Sequence, residues 1–440
     1  MTIFDNLQQF RQTAYNCLGK AKDATFELMD AVILTKEVCS YPELSRCPAF
    51  RRSWSSIYEA IKDTRPDTSQ LMELYISQMS DIQRPLLAGD HTPRPRPEAK
   101  TLCDRSYVHS TGKTIGNKPV IPGHDYSTIA WVPEHKGSWA LPLTHERITS
   151  FDTPISKAAA QLEQVCLLLP SRPITVWDSE YGCASFVVQT ADIPADKLMR
   201  LRPNRCLWGA PPAYQGKGRP QIHGQKFKLS DPDTWSQPTE QLTIDDPQLG
   251  EVILRRWSNL HFRQSPSHGM EVIRVEVKGK YPHRRALQPM WLCWLGQTIP
   301  PVSTIWRDYR RRFTVDHWNR FAKQRLHWLK PRFSTPEREQ RWSDLMPIIT
   351  WQLWLARTLV QDQPRPWQKS LSAEEITPGR VAQSMGGVLA VIGSPASFPK
   401  VRGKSPGWLT GSKRNKRTVY PLVKKGITRR KKTRKKRRTS

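Results

Sequence analysis

The chain has 440 residues, with 69 Lys/Arg against 39 Asp/Glu, a net charge of +30 and a pI near 10.1. That length allows two or three domains and a substantial core, and the charge points to a polyanionic partner. No apolar run is long enough to span a bilayer: Met290–Leu295 is short, and Leu345–Val360 is broken by Pro347, Gln352 and Arg357.

The charge is uneven. From Lys400 to Ser440 there are 18 Lys/Arg and no Asp/Glu, and residues 1–399 keep 51 basic against 39 acidic side chains. The body is therefore basic by itself, and the tail adds a denser source that raises affinity for nucleic acid without reading sequence. Met1–Phe10 is too polar for a signal-peptide core. The eight cysteines form no Cys-x-x-Cys pair and do not cluster with the 11 histidines, which argues against zinc and disulfides. A cytoplasmic, nucleoid-associated protein is expected.

In chain order, residues 1–80 read as a helical region, with apolar positions at three- and four-residue spacing through Phe26, Leu28, Met29, Val32 and Ile33. Strand-like runs follow at Pro85–Asp90, Tyr126–Val132 and Ser138–Leu143, then an amphipathic helix at about Ile155–Leu168. Further strands are expected at Ile174–Asp178 and Lys197–Leu201. This order over residues 84–202 suits the first part of an RNase H-like α/β core. Residues 203–300, rich in turns and short alternating runs, read as a β-rich insertion. One long helix is expected from Val302 to Leu329, and further helix within 301–362. Residues 378–440 read as a basic Gly/Pro/Lys-rich tail, extended or disordered.

The strongest local signal is in the long helix. Tyr309, Arg312, Asp316 and Lys323 fall at about 0°, −60°, −20° and −40° around a continuous helix at ~100° per residue. A carboxylate flanked by a phenol and two cations suits a metal-ligating acid beside phosphate-contacting groups. A salt-bridged surface helix looks the same. Asp90 and Asp178 each follow an apolar strand, and in an RNase H-like sheet those strands are neighbours. Three such carboxylates can hold two Mg²⁺ ions ~4 Å apart, one activating a water or 3′-hydroxyl and the other stabilising the leaving oxygen. A lone strand-end Asp, by contrast, is usually a turn former or helix cap.

The helix resembles the Tyr-x2-Arg-x3-Glu-x6-Lys signature of bacterial insertion-sequence transposases of the cut-and-paste type. Tyr309, Arg312 and Lys323 match it, whereas Asp316 stands where that family has Glu. Asp90 in GDHT resembles the family's first catalytic acid and Asp178 in VWDSEYG the second. The resemblance implies a DDE nuclease and strand transferase in which Asp90, Asp178 and Asp316 are the catalytic metal ligands. It further implies Tyr309, Arg312 and Lys323 on DNA phosphates, and Mg²⁺ as cofactor with Mn²⁺ substituting. The implied partner is double-stranded DNA, both transposon ends and target, bound by a dimer in the synaptic complex. Residues 1–80 are then the candidate for end binding. The Glu-to-Asp change shortens the third ligand by one methylene, which makes a catalytically impaired DNA-binding protein the alternative.

Other residues were weighed. Thr111–Thr114 resembles the end of a phosphate-binding loop but lacks its first Gly. Asp125 precedes rather than ends a strand-like run, and Asp308 points about 100° off the stripe. Trp291 or Trp294 could stack a flipped base, as the family does from its insertion, although core packing explains them equally, as it does Trp318.

Overall fold

The computed structural model describes residues 4–79, 83–110, 119–134, 137–216, 218–247, 249–278, 288–401, 403, 407 and 409–425. The Thr111–Thr114 segment lies outside the described residues. Helices α1 (Asp5–Asn16), α2 (Lys22–Leu34), α3 (Ser56–Asp63) and α4 (Thr68–Ser77) precede strands β1 (Leu86–Pro95), β2 (Ser106–His109), β3 (Val120–Trp131) and β4 (Leu141–Ile148). Then come α5 (Pro154–Leu168), β5 (Ile174–Trp177), α6 (Ala184–Gln189) and β6 (Asp196–Leu201). Strands β7 (Cys206–Trp208), β8 (Lys226–Lys228), β9 (Glu240–Asp246), β10 (Gly250–Leu260), β11 (Met270–Val277) and β12 (Met290–Leu295) follow. The last helices are α7 (Val302–Arg311), α8 (Phe313–Gln324), α9 (Pro336–Ala356) and α10 (Pro378–Ile392).

The sheet is mixed. β1 pairs antiparallel with β3, and β3 with β4, while β1, β5 and β6 run parallel. The order β4-β3-β1-β5-β6 is that of the α/β fold expected from the sequence. The β-rich segment 203–300 is continuous with this sheet, because β12 pairs with β6 and leads on through β11 and β10 to β9. Its aromatic centre, Phe227, Trp235, Trp257 and Trp291, has ring centroids 5.2–6.3 Å apart. Trp291 and Trp294 are both buried, so packing accounts for them.

The N-terminal helices pack on α9 and α10 rather than standing apart. Arg11 of α1 forms a buried ion pair with Asp30 of α2 at 2.8 Å, and also donates to Gln352 on α9 (2.5 Å) and to the Gly393 carbonyl (3.2 Å). Tyr75 stacks on Trp351, which stacks in turn on Trp131 of β3. A second buried ionic cluster ties β1 to the chain after α8. Glu339 of α9, fully buried, meets Arg96 at 3.2 Å, Arg94 at 3.5 Å and His124 at 2.8 Å. Arg94 and Arg96 also donate to the carbonyls of Pro331 and Phe333. Buried charge paired in this way makes removal of one partner costly.

Three expectations need correction. Residues 378–392 are not part of an extended tail: Val381, Ala382, Met385 and Val388 make a buried helix face against α9 and α2. Pro378 at the first turn and the Gly386–Gly387 pair hide that periodicity. The long helix from Val302 is two helices that meet at Arg312 and end at Gln324. Asp125 lies inside β3, opposite Pro93, because β3 begins at Val120, before the apolar run.

Candidate active site

Asp90 lies in the middle of β1, not at its end, but the parallel pairing of β1 with β5 stops at Gly89–Trp177. Asp90 and Asp178 are thus the next residues on neighbouring strands, where Cα atoms lie about 4.8 Å apart. Gly89 is required there: a Cβ on it would stand 2.0 Å from the Trp177 ring. Alternation along the strand puts Asp90 and Thr92 on the face covered by α8, and His91 on the other.

Helix α8 buries Val315, Trp318 and Ala322, and that face sets its polar stripe over β1. Arg312 reaches Asp90 at 3.6 Å and Asp316 at 3.2 Å, and Lys323 donates to the Thr92 hydroxyl. Asp316 is near enough to Asp90 to push its carboxyl up. Tyr309, on α7, is almost wholly buried, with Arg312, Arg200 and Asp178 around its phenol. The signature residues are therefore brought to one place, but Tyr309 lies beneath the site rather than on its surface.

Burial pushes the Asp90 carboxyl up; Arg312 pulls it down, and the charge of Asp316 pushes it up again, to about 7. Burial works against the Arg312 charge, but Asp90, Tyr309, Asp316 and Asp178 outweigh it and raise its pKa. Lys323 is lowered by burial, against the pull of Asp125, Asp90 and Asp316. Burial raises the Tyr309 hydroxyl.

Behind Asp90 is a group of residues to which the sequence assigns no role. His91 Nδ1 donates to Asp125 Oδ2 at 2.7 Å, and Nε2 donates to Glu180 Oε2 at 3.1 Å. Burial opposes its charge, but these two bonds and the two carboxylates lift it to about 11, so the ring is an imidazolium with both N–H groups in use. The His91 hydrogen bond in turn lowers Glu180. The Glu180 N–H donates to Asp178 Oδ1 at 2.8 Å. His91 therefore cross-links β1, β3 and the turn that carries Asp178. The only signal in the sequence was the density of acids around positions 90, 125 and 178–180.

A cation fits the chemistry of Asp90 and Asp316: a buried carboxyl repelled by a second one gains by exchanging its proton for a hard divalent ion. The geometry is less complete than expected. Among the described residues no group of three or more His, Cys, Asp or Glu side chains is gathered into a metal-binding set. Asp178 Oδ1 accepts the Glu180 N–H.

Residues 13–259, more than half of the chain, match the family model described as DDE superfamily endonuclease. The chain belongs to the DDE superfamily endonucleases. The matched segment runs from α1 to β10 and contains Asp90 and Asp178, whereas Asp316 lies beyond it. As a DDE endonuclease the chain is an enzyme with a metal-dependent, nuclease-type mechanism, and the mixed α/β sheet agrees with the RNase H-like fold of such enzymes. A comparison with curated proteins found no match. Among the described residues no helix is long and apolar enough to cross a membrane.

Proposed function

We propose that this DDE endonuclease is a transposase of the insertion-sequence type, cleaving transposon ends and joining them to target DNA. The observation that carries the reading is the convergence of Asp90, Arg312, Asp316 and Lys323 between β1 and α8, with Asp178 on the adjoining strand. Asp90, Asp178 and Asp316 would hold the divalent ions, which would supply Lewis acidity for the cleavage. The chain's own residues do the rest. Arg312 balances the negative charge of Asp90 and Asp316 and presents guanidinium N–H groups to a phosphate oxygen. Lys323, held on the Thr92 hydroxyl, adds a second phosphate contact. Buried Tyr309 orients Arg312 from below. Double-stranded DNA is the substrate, bound by a dimer that pairs two ends.

A second reading, a transposase derivative that binds DNA without cutting it, is favoured by one observation, the Asp at position 316 in place of Glu. Incubation of the purified chain with labelled end DNA and Mg²⁺ or Mn²⁺ separates the two. The transposase reading expects nicking at the end in either metal, abolished in Asp178→Asn with DNA binding retained. Binding without cleavage in both metals supports the second reading instead.

A further inference from the structure

After α10 the chain returns to the sheet. The Tyr420 N–H donates to the Lys100 carbonyl at 3.0 Å and the Val423 N–H to the Arg105 carbonyl at 2.8 Å. Val423 also makes a parallel bridge to Ser106 at the start of β2. Lys425 then donates to two carbonyls of the turn between β4 and α5, Thr149 at 2.8 Å and Asp152 at 2.7 Å. Both β2 and β4 pair along the same side of β3, so this short segment spans the outer edge of one and the end of the other. It arrives near the candidate site: Lys425 holds the carbonyl of Thr149, the residue after Ile148, and Ile148 is paired with Asp125, the acid that holds His91 next to Asp90.

The charge on this segment is one-sided. Between Leu409 and Lys425 there are six Lys/Arg and no Asp/Glu, and the next fifteen residues of sequence contain nine Lys/Arg and again no acid. The fastening uses two backbone N–H groups and one ammonium, and it leaves Lys413, Lys416, Arg417 and Lys424 exposed. Covering a sheet edge is a common duty of a terminal segment, but that duty needs no cations. Gathering like charges at a fixed place is unfavourable unless a polyanion neutralises them. We propose that Tyr420–Lys425 is a strap that fastens the cationic C-terminal run beside the carboxylate site, where it grips the backbone of duplex DNA. The proposal rests on the reading of the chain as an enzyme acting on DNA. It adds that the chain leading into the basic run, Tyr420–Lys425, is fastened at one point of the fold. Pre-fixing its origin lowers the ordering cost of each phosphate contact, and the contacts remain indifferent to sequence.

The test compares the full chain with Val423→Pro, Val423→Ala and a chain ending at Lys425. Each is titrated, without divalent metal, against a labelled duplex of arbitrary sequence from about 50 to about 300 mM KCl. Proline removes the N–H given to Arg105 and changes no charge; alanine keeps it. Val423→Pro is expected to bind about ten-fold more weakly at about 150 mM KCl, with the salt slope retained, while Val423→Ala binds as the parent does. The shortened chain is expected to lose about three or more from the slope of log K against log salt. Equal affinity of Val423→Pro and parent would overturn the strap, leaving an untethered polycation. Preferential displacement of the duplex by single-stranded RNA of equal length would overturn the assigned partner. Because nothing is cleaved, a parent that binds through the strap but never cuts DNA counts against the nuclease reading alone.

Discussion

Two clusters of buried charge lie along β1, within a few residues of each other, and they are built to opposite rules. At Arg94 and Arg96 the single carboxylate of Glu339 meets two guanidinium groups and a histidine. Burial alone would push Glu339 up, but His124 and Arg94 hold it below its usual value. At Asp90, two carboxylates share Arg312 with a third close by, and the Asp90 carboxyl rises to about 7. The first cluster surrounds its one carboxylate with cationic side chains of the chain itself. The second has an excess of negative charge around the largely buried Asp90, which is costly unless a cation from outside completes it. The first is therefore a joint between β1 and α9, and the second is a site.

That contrast can be broken or sharpened by substitution. The largest effect is expected at Glu339→Ala, which strands Arg94, Arg96 and His124. A loss of about 3–5 kcal/mol in urea unfolding follows for a buried pair broken on one side. An effect below about 1 kcal/mol would mean that the cluster is no joint. Asp90→Asn should do the reverse: cleavage of end DNA falls more than about a hundred-fold, beyond what outer-shell changes cost, with stability within about 1 kcal/mol of the parent. Equal cleavage in that variant would remove Asp90 from the site.

His91→Gln is expected to fall between the two. Glutamine cannot bridge Asp125 and Glu180 with two fixed N–H groups, so the turn bearing Asp178 loosens. Cleavage should drop about 10- to 100-fold and the Mg²⁺ concentration for half-maximal rate should rise. A drop in rate with the metal requirement unchanged would limit His91 to general stability.

The smallest effect concerns a buried acid outside both clusters. Asp344 on α9 is raised to about 7, by burial first and then by Glu146, against the hydrogen bond from Gln340 and the charge of Arg341. An acid raised in the folded state supports folding fully below its unfolded pKa of about 3.9, and that support is lost as pH rises through about 7. Asp344→Asn should therefore flatten the stability profile between about pH 4 and pH 7, by at most about 1.4 kcal/mol per pH unit. An unchanged slope across that window would contradict the assigned burial of Asp344.

Legibility in the sequence followed the range of the interaction. The strands carrying Asp90 and Asp178 showed as apolar runs, and the spacing of Arg312, Asp316 and Lys323 showed as one face, because both are local patterns. The break at Arg312 was hidden, since no Pro or Gly marks it and the apolar period continues from Trp306 and Tyr309 to Val315 and Trp318. Helix α10 was hidden by the opposite cause: its Pro and Gly residues read as tail although its apolar face is regular. Asp125 looks like a loop residue in the sequence because β3 starts six residues before the apolar run at Tyr126. The Glu339 cluster and the His91 bridge join residues far apart in the chain, and only the sheet register brings them together.

Asp90 and Asp316 together leave an excess of negative charge that a divalent cation would neutralise. Mn²⁺ binding to the purified chain, followed by electron paramagnetic resonance without DNA, tests this directly. Saturable Mn²⁺ binding is expected, abolished in Asp90→Asn and intact in Asp344→Asn. Failure of the folded parent to bind Mn²⁺, or equal binding by Asp90→Asn, would contradict it.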